Sequence, residues 1–215
     1  MKVTQFVKLF AIAALTGVTM VASNTSAAII SGSLSETMVE SRSGGQNFGD
    51  YLETTVFPDG WSNSSAKSTA AGVTAGIGSR FNGTNAFGGA FEVSPTLPTA
   101  GGTYEVYVTT TSASGAITAT TSVAATGGSG LPATTDAFGT SSQNAWALVG
   151  TLTLDVGVTS PVVTFTEVTH TNRFYADAIL FAEVAAVPEP ATLALAGAGM
   201  IGLMVAARRR ISTTS

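Results

Sequence analysis

Three acidic residues in one short stretch, Asp50, Glu53 and Asp59, are the candidates for acid–base chemistry in this chain. Hydrolysis of a glycosidic bond needs two carboxyl groups that face one cleft. The spacing of these three is typical of a loop rather than of a fixed pair. A polysaccharide-processing enzyme is therefore an alternative, and no residue is predicted to be catalytic.

Nucleophilic catalysis and metal binding find little support in the sequence. The chain has one histidine, His170, and no cysteine, so a Ser-His-Asp triad would depend on a side chain in residues 167–172, which predict a turn between strands. The lack of cysteine excludes thiol catalysis and cysteine zinc sites. Asp155 and Glu167 could join a structural calcium site, but no dense acidic loop supports one. No metal or cofactor is predicted.

Sugar binding is the other chemistry that the sequence offers. Trp61 and Tyr51 lie in a polar region rich in glycine and serine, where a flat ring could stay exposed and stack on a pyranose. Packing in the core is the alternative for both rings. They are nevertheless the best candidates for a glycan contact.

The elements that must position these residues are strands. Apolar and polar residues alternate, with many β-branched side chains, over five segments: 103–111, 116–123, 146–154, 162–168 and 174–182. Glycine and proline turns separate these segments, and no long amphipathic helix precedes the C-terminal tail. The pattern predicts an all-β fold, an antiparallel jelly-roll-like β-sandwich.

Both ends of the chain carry signals for membrane transport. A basic start, an apolar core over residues 9–22 and Ser26-Ala27-Ala28 predict a signal peptide at 1–28, cut by signal peptidase after Ala27 or Ala28. An uncleaved anchor is the alternative.

The C-terminal tail has three successive parts. Val187-Pro188-Glu189-Pro190 is held extended by its prolines. The apolar run 191–207 predicts a transmembrane helix at the short end of what crosses a bilayer. Arg208, Arg209 and Arg210 mark the end that stays in the cytoplasm. The β-sandwich domain should then occupy residues 29–186, between the two signals.

The tail at 187–210 contains the Pro-Glu-Pro motif, an apolar span and a basic cluster, in this order. In all three parts it resembles the PEP-CTERM proteins of Gram-negative bacteria. The resemblance implies a substrate of an exosortase, a membrane transpeptidase-like enzyme found in strains that make extracellular polysaccharide. The chain would cross the inner membrane, be held there transiently by its C-terminal helix, and then reach the cell surface or extracellular matrix.

A second resemblance concerns the domain itself. Four segments carry it: the strand at 103–108, which follows a Leu-Pro-Thr-Ala-Gly-Gly linker, Trp146–Gly150, Ala176–Phe181 and the upstream Trp61–Ser68. Over about residues 56–184, the chain is similar to the golvesin or xanthan-lyase carbohydrate-binding-like domain. Trp146 and Asp177 would be its signature positions. Both are interpreted as structural, Trp146 as a core residue and Asp177 as a side chain that caps a turn or holds a neighbouring backbone.

The net charge of the domain limits the class of partner that it can bind. The whole chain has a net charge of −4. Two lysines lie in the signal peptide and three arginines in the tail, so residues 29–190 alone carry a net charge of −9. Such a chain has no basic stripe for nucleic acid. The sequence thus predicts a sorted surface protein that associates with extracellular polysaccharide as a non-catalytic module, with a polysaccharide-processing enzyme and a purely structural matrix subunit as alternatives.

Overall fold

The structure, a computed structural model, describes residues 29–54, 61–83, 88–112, 118–171 and 173–185. The predicted signal peptide, Asp59, the sorting motif 187–190, the apolar run 191–207 and the three arginines lie outside the described residues. Within the described ranges, no helix is long and apolar enough to cross a membrane.

The described residues form β-strands and two short 3₁₀ helices, Phe48–Asp50 and Thr140–Ser142. The strands are β1 (Glu36–Glu40), β2 (Tyr51–Glu53), β3 (Trp61–Asn63), β4 (Arg80–Asn82), β5 (Ala90–Val93), β6 (Thr103–Thr109), β7 (Ala119–Thr126), β8 (Gly128–Ser129), β9 (Thr134–Thr135), β10 (Ala147–Leu154), β11 (Val162–His170), β12 (Phe174–Ala176) and β13 (Ala178–Glu183).

The strands pair antiparallel in three sheets. The front sheet has the order β1-β13-β6-β10-β8, the back sheet β2-β5-β11-β7-β9, and the small sheet β12-β4-β3. The predicted all-β class with antiparallel sheets is confirmed. The small sheet was not predicted.

One apolar core joins the front and back sheets. In β6 the predicted alternation holds, since Tyr104, Val106 and Val108 are buried and point to the same side. From the back sheet, Phe91 and Phe165 enter the same cluster, with ring centroids 5.2 Å apart. Burial of each such side chain contributes about 1.5–3 kcal/mol. Two sheets that share one core give a β-sandwich-like architecture.

The outer face of the front sheet carries a second, smaller cluster. All six residues of β13 are buried, which an outer face open to water would not allow. Met38, Ala178 and Leu180 form this outer cluster, and Trp146 packs against it. Trp146 therefore lies on the outer face of the front sheet rather than in the core between the sheets, where the sequence predicted it.

Strand β11 runs further than the sequence indicated. Residues 167–172 were expected to form a turn, but β11 continues through His170 and pairs with β7. A register shift between Glu167 and Thr169 allows this pairing, as a β-bulge does. His170 is thus a strand residue with a buried side chain.

Candidate functional site

A cleft of about 460 Å³ opens at the edge of the back sheet, beside β2 and the small sheet. We call it the β2 cleft. Its lining includes Phe48, Tyr51, Leu52, Glu53, Asn63 and Arg80. Two residues that the sequence singled out for different chemistries, Tyr51 and Glu53, thus share one surface.

A tight turn before β2 precedes the exposed apolar residues that line the cleft. Asn47 has a φ of 47°, a left-handed conformation that asparagine tolerates better than most residues. Its Nδ2 donates to the carbonyl of Met38 at 2.7 Å, which fixes the turn on β1. The chain beyond it leaves Phe48 39% exposed and Leu52 60% exposed.

The polar side of the cleft is built around the guanidinium of Arg80. Its Nε and Nη2 donate to the two carboxylate oxygens of Glu53 at 2.5 and 2.7 Å, and Nη1 donates to Oδ1 of Asn63 at 2.6 Å. The hydrogen bond with Glu53 is the largest cause that raises the pKa of Arg80. Such a bidentate pair is strong and fixed in direction. The polar groups are therefore held in place before any ligand arrives.

The two rings predicted to stack on sugar both pack on the core residue Phe91. The ring centroid of Tyr51 lies 5.4 Å and that of Trp61 5.8 Å from the ring of Phe91. Burial, and then the charge of Glu53, raise the pKa of the Tyr51 hydroxyl well above its ordinary value. Tyr51 lines the cleft, whereas Trp61 contributes its carbonyl, which accepts from Arg80 at 2.9 Å.

Glu53 and Asp50, two of the acidic residues considered for hydrolysis, make different contacts. Both oxygens of Glu53 bind Arg80, as described above. Asp50 ends the first 3₁₀ helix, and its backbone carbonyl accepts from the N–H of Ser94 at 2.9 Å. The described residues therefore show Glu53 paired with a cation rather than with a second carboxyl group.

The signature positions Asp177 and Trp146 bind the loop that connects β3 with β4, residues 64–79. Asp177 is buried, and its carboxylate accepts from the N–H of Ser68. Burial is the main cause that raises its pKa to about 6. Nε1 of Trp146 donates to the carbonyl of Ala71 at 3.0 Å. Asp177 therefore holds a neighbouring backbone, one of the two roles considered for it.

Glu167 belongs to a buried polar cluster in the back sheet. Its Oε2 accepts from Nδ2 of Asn82 at 3.0 Å, and its Oε1 contacts Nδ1 of His170. Asp155, the other residue considered for calcium, is exposed in the turn after β10. Among the described residues, no group of three or more His, Cys, Asp or Glu side chains could hold a metal ion.

Comparison with solved structures supports the predicted fold. No curated protein matches the chain. The structure of a xanthan lyase from Paenibacillus is similar, with 19% sequence identity and a TM-score of 0.51, over 70% of this chain and 13% of the lyase chain. The chain thus spans a small part of that enzyme's length, and the likeness concerns the fold alone.

The C-terminal tail gives the more specific match. Residues 186–210 match the PEP-CTERM protein-sorting motif, which confirms the resemblance seen in the sequence. This motif is the recognition signal for exosortase. The chain is therefore an exported protein that carries a PEP-CTERM sorting signal at its C-terminal end.

Proposed function

We propose that this protein is a non-catalytic, exosortase-sorted surface module that associates with extracellular polysaccharide through the β2 cleft. The sorting motif supports delivery to the cell surface or matrix. The fold supports the ligand class, because it is similar to part of a xanthan lyase, a protein named for a polysaccharide.

The observation that carries the proposal is the pairing of apolar and polar surfaces in one cleft. Phe48 and Leu52, both exposed, line the same cleft as the fork formed by Arg80, Glu53 and Asn63. A sugar ring presents an apolar face and a rim of hydroxyl groups. Apolar contact with a few fixed polar groups is the usual composition of a small-ligand site.

The charge of the domain favours neutral glycans. Residues 29–190 carry a net charge of −9, which repels acidic polymers over the whole surface. Within the cleft, Arg80 has its charge balanced by Glu53, and Arg42, which also lines the cleft, donates to the carbonyl of Ser64. A neutral polysaccharide is therefore the better ligand, and an open cleft of this kind predicts weak binding.

A binding role fits the state of the carboxylates better than hydrolysis does. A glycosidase needs one carboxyl group to give a proton and another to act as a base or nucleophile. Glu53 has both oxygens committed to Arg80. The proposal therefore assigns Glu53 to the orientation of Arg80.

The test measures retention of the purified exported protein on gels that contain neutral polysaccharide from the matrix of the producing strain. Phe48→Ala should weaken binding roughly tenfold, the loss of about 1.4 kcal/mol of apolar contact. Val156→Ala is the matched control, because Val156 is fully exposed in the turn after β10, and it should leave binding unchanged.

Two other results would replace the proposal. If the wild-type protein binds no glycan of the matrix, the alternative of a purely structural matrix or adhesion subunit is adopted. If it degrades polysaccharide and the turnover disappears in Glu53→Gln, the protein is a polysaccharide-processing enzyme.

A further inference from the structure

The carboxylate of Glu36, on β1, accepts hydrogen bonds from the first residues that the structure describes. Its Oε2 accepts from the backbone nitrogen of Ile29 at 2.9 Å, and its Oε1 accepts from the backbone nitrogen of Ile30 at 2.6 Å. The hydroxyl of Ser33 also donates to Oε1, at 3.0 Å. An acidic side chain therefore faces the nitrogen of the residue that follows the predicted signal peptide.

The side chain of Ile29 has its own contact surface. It packs against the outer cluster that contains Met38. A Cβ on Gly72 would lie 2.3 Å from Cδ1 of Ile29, so a larger residue at this position would force the end of that side chain to shift. Gly72 also has a φ of 83°, which favours glycine. Ile29 is thus held at both its nitrogen and its side chain.

We propose that signal peptidase cuts the bond between Ala28 and Ile29, and that the new α-ammonium group of Ile29 forms an ion pair with Glu36. The proposal rests on the export step of the proposed function. Hydrolysis consumes one water, leaves a carboxylate on Ala28, and leaves an amine on Ile29 that takes up a proton at neutral pH. The hydrogen bond that the uncut amide makes to the carboxylate becomes an ion pair, in which donor and acceptor both carry charge.

Of the two bonds that the sequence left open, only the cut after Ala28 gives this pairing. A cut after Ala28 places the charge on the atom that Glu36 already holds at 2.9 Å. A cut after Ala27 would place it one residue away and leave Ile29 with an amide. Nearby, Glu183 accepts from the hydroxyl of Ser35, so a second acidic group lies on the adjacent strand β13.

The test uses the full chain purified after export, whose N-terminal residue is identified by mass spectrometry of its first peptide. The amine is then labelled with an amine-reactive ester at neutral pH, where only unprotonated amines react. The α-amine should react roughly tenfold more slowly in the wild type than in Glu36→Gln. Lys67, the one lysine in residues 29–215, is the internal reference and should react equally in both.

Further variants separate charge pairing from a structural role. Ser33→Ala removes a neutral donor and should leave labelling slow, whereas Glu36→Asp keeps the charge at a greater distance and should give an intermediate rate. Glu36→Asp also serves if Glu36→Gln does not accumulate. Equal labelling of wild type and both Glu36 variants overturns the ion pair. An N-terminus at Ala28 overturns the cleavage site alone, and an N-terminus at Met1 overturns cleavage altogether and leaves the alternative of an uncleaved anchor.

Discussion

Trp146, which directly precedes β10, and Asp177, which directly precedes β13, hold the same loop. Nε1 of Trp146 donates to the carbonyl of Ala71, and the carboxylate of Asp177 accepts from the N–H of Ser68, three residues earlier. The loop, residues 64–79, lies over the outer face of the front sheet and helps to bury β13. The two signature positions therefore act together on one segment.

Trp146→Phe removes the bond to the loop and keeps most of the apolar contact. The free energy of unfolding should fall by about 0.5–1.5 kcal/mol, the usual net value of one hydrogen bond. Trp146→Ala should cost more, because the ring also packs against the outer cluster. Urea denaturation of the purified protein measures both changes.

A double variant tests whether the two residues act on one segment. If Trp146→Phe and Asp177→Ala, which removes the acceptor for Ser68, weaken the same loop, their combined effect should differ from the sum of the single effects by more than about 0.5 kcal/mol. Strict additivity would show that the two bonds act independently.

The stability of the protein should depend on the protonation of Asp177. Burial raises its pKa from 3.8 to about 6, the nearby charge of Glu40 adds to the rise, and the Ser68 N–H and Lys67 oppose it. The folded state therefore binds a proton more readily than the unfolded chain between about pH 4 and 6. The contribution of Asp177 to stability should fall as the pH rises through this window and stay low above it.

Asp177→Asn is the matched variant for this pH dependence, because its amide oxygen can still accept from Ser68. Melting temperatures of wild type and variant, measured from pH 4 to pH 7, should approach each other at the acid end and separate toward neutral pH. A constant difference across the range would contradict the assigned pKa.

The strands of the second half could be predicted because their pattern is local. In β6, β10 and β11, apolar and polar residues alternate and many are β-branched, so each segment indicates its own buried face. In contrast, β3 is Trp-Ser-Asn and β4 is Arg-Phe-Asn, with no period to detect. These strands depend on distant partners, such as the pairing of Arg80 with Glu53.

The geometry of the β2 cleft could not be predicted from the sequence. The sequence placed Tyr51, Glu53 and Trp61 in one region, and two of these line the cleft. It could not show that the Trp61 ring turns toward Phe174, at 5.9 Å, because that contact joins distant parts of the chain. Phe48 was missed, although its neighbours Asn47 and Gly49 are typical of a turn that exposes a side chain.

Gly78 should be the least replaceable glycine of the loop over the front sheet. A Cβ at this position would lie 1.8 Å from the backbone oxygen of Ser64, which cannot rotate away as a side chain would. Gly78→Ala should therefore cost about 3 kcal/mol, at the upper end for overpacking. The same change at Gly49, where nothing lies within 4 Å, is the control. Equal denaturation midpoints for the two variants would contradict the close contact.

The sorting tail should be cut near Val187–Pro190 in cells that have an exosortase. The match at 186–210 supports recognition of this segment by the enzyme. Glu189→Ala or Pro190→Ala should leave an uncut, membrane-held protein, whereas Thr214→Ala, beyond the arginines, should be cut normally. Intact mass of membrane and released fractions distinguishes the forms. Retention of residues 191–215 in the wild type, with exosortase present, would show that the tail is only an anchor.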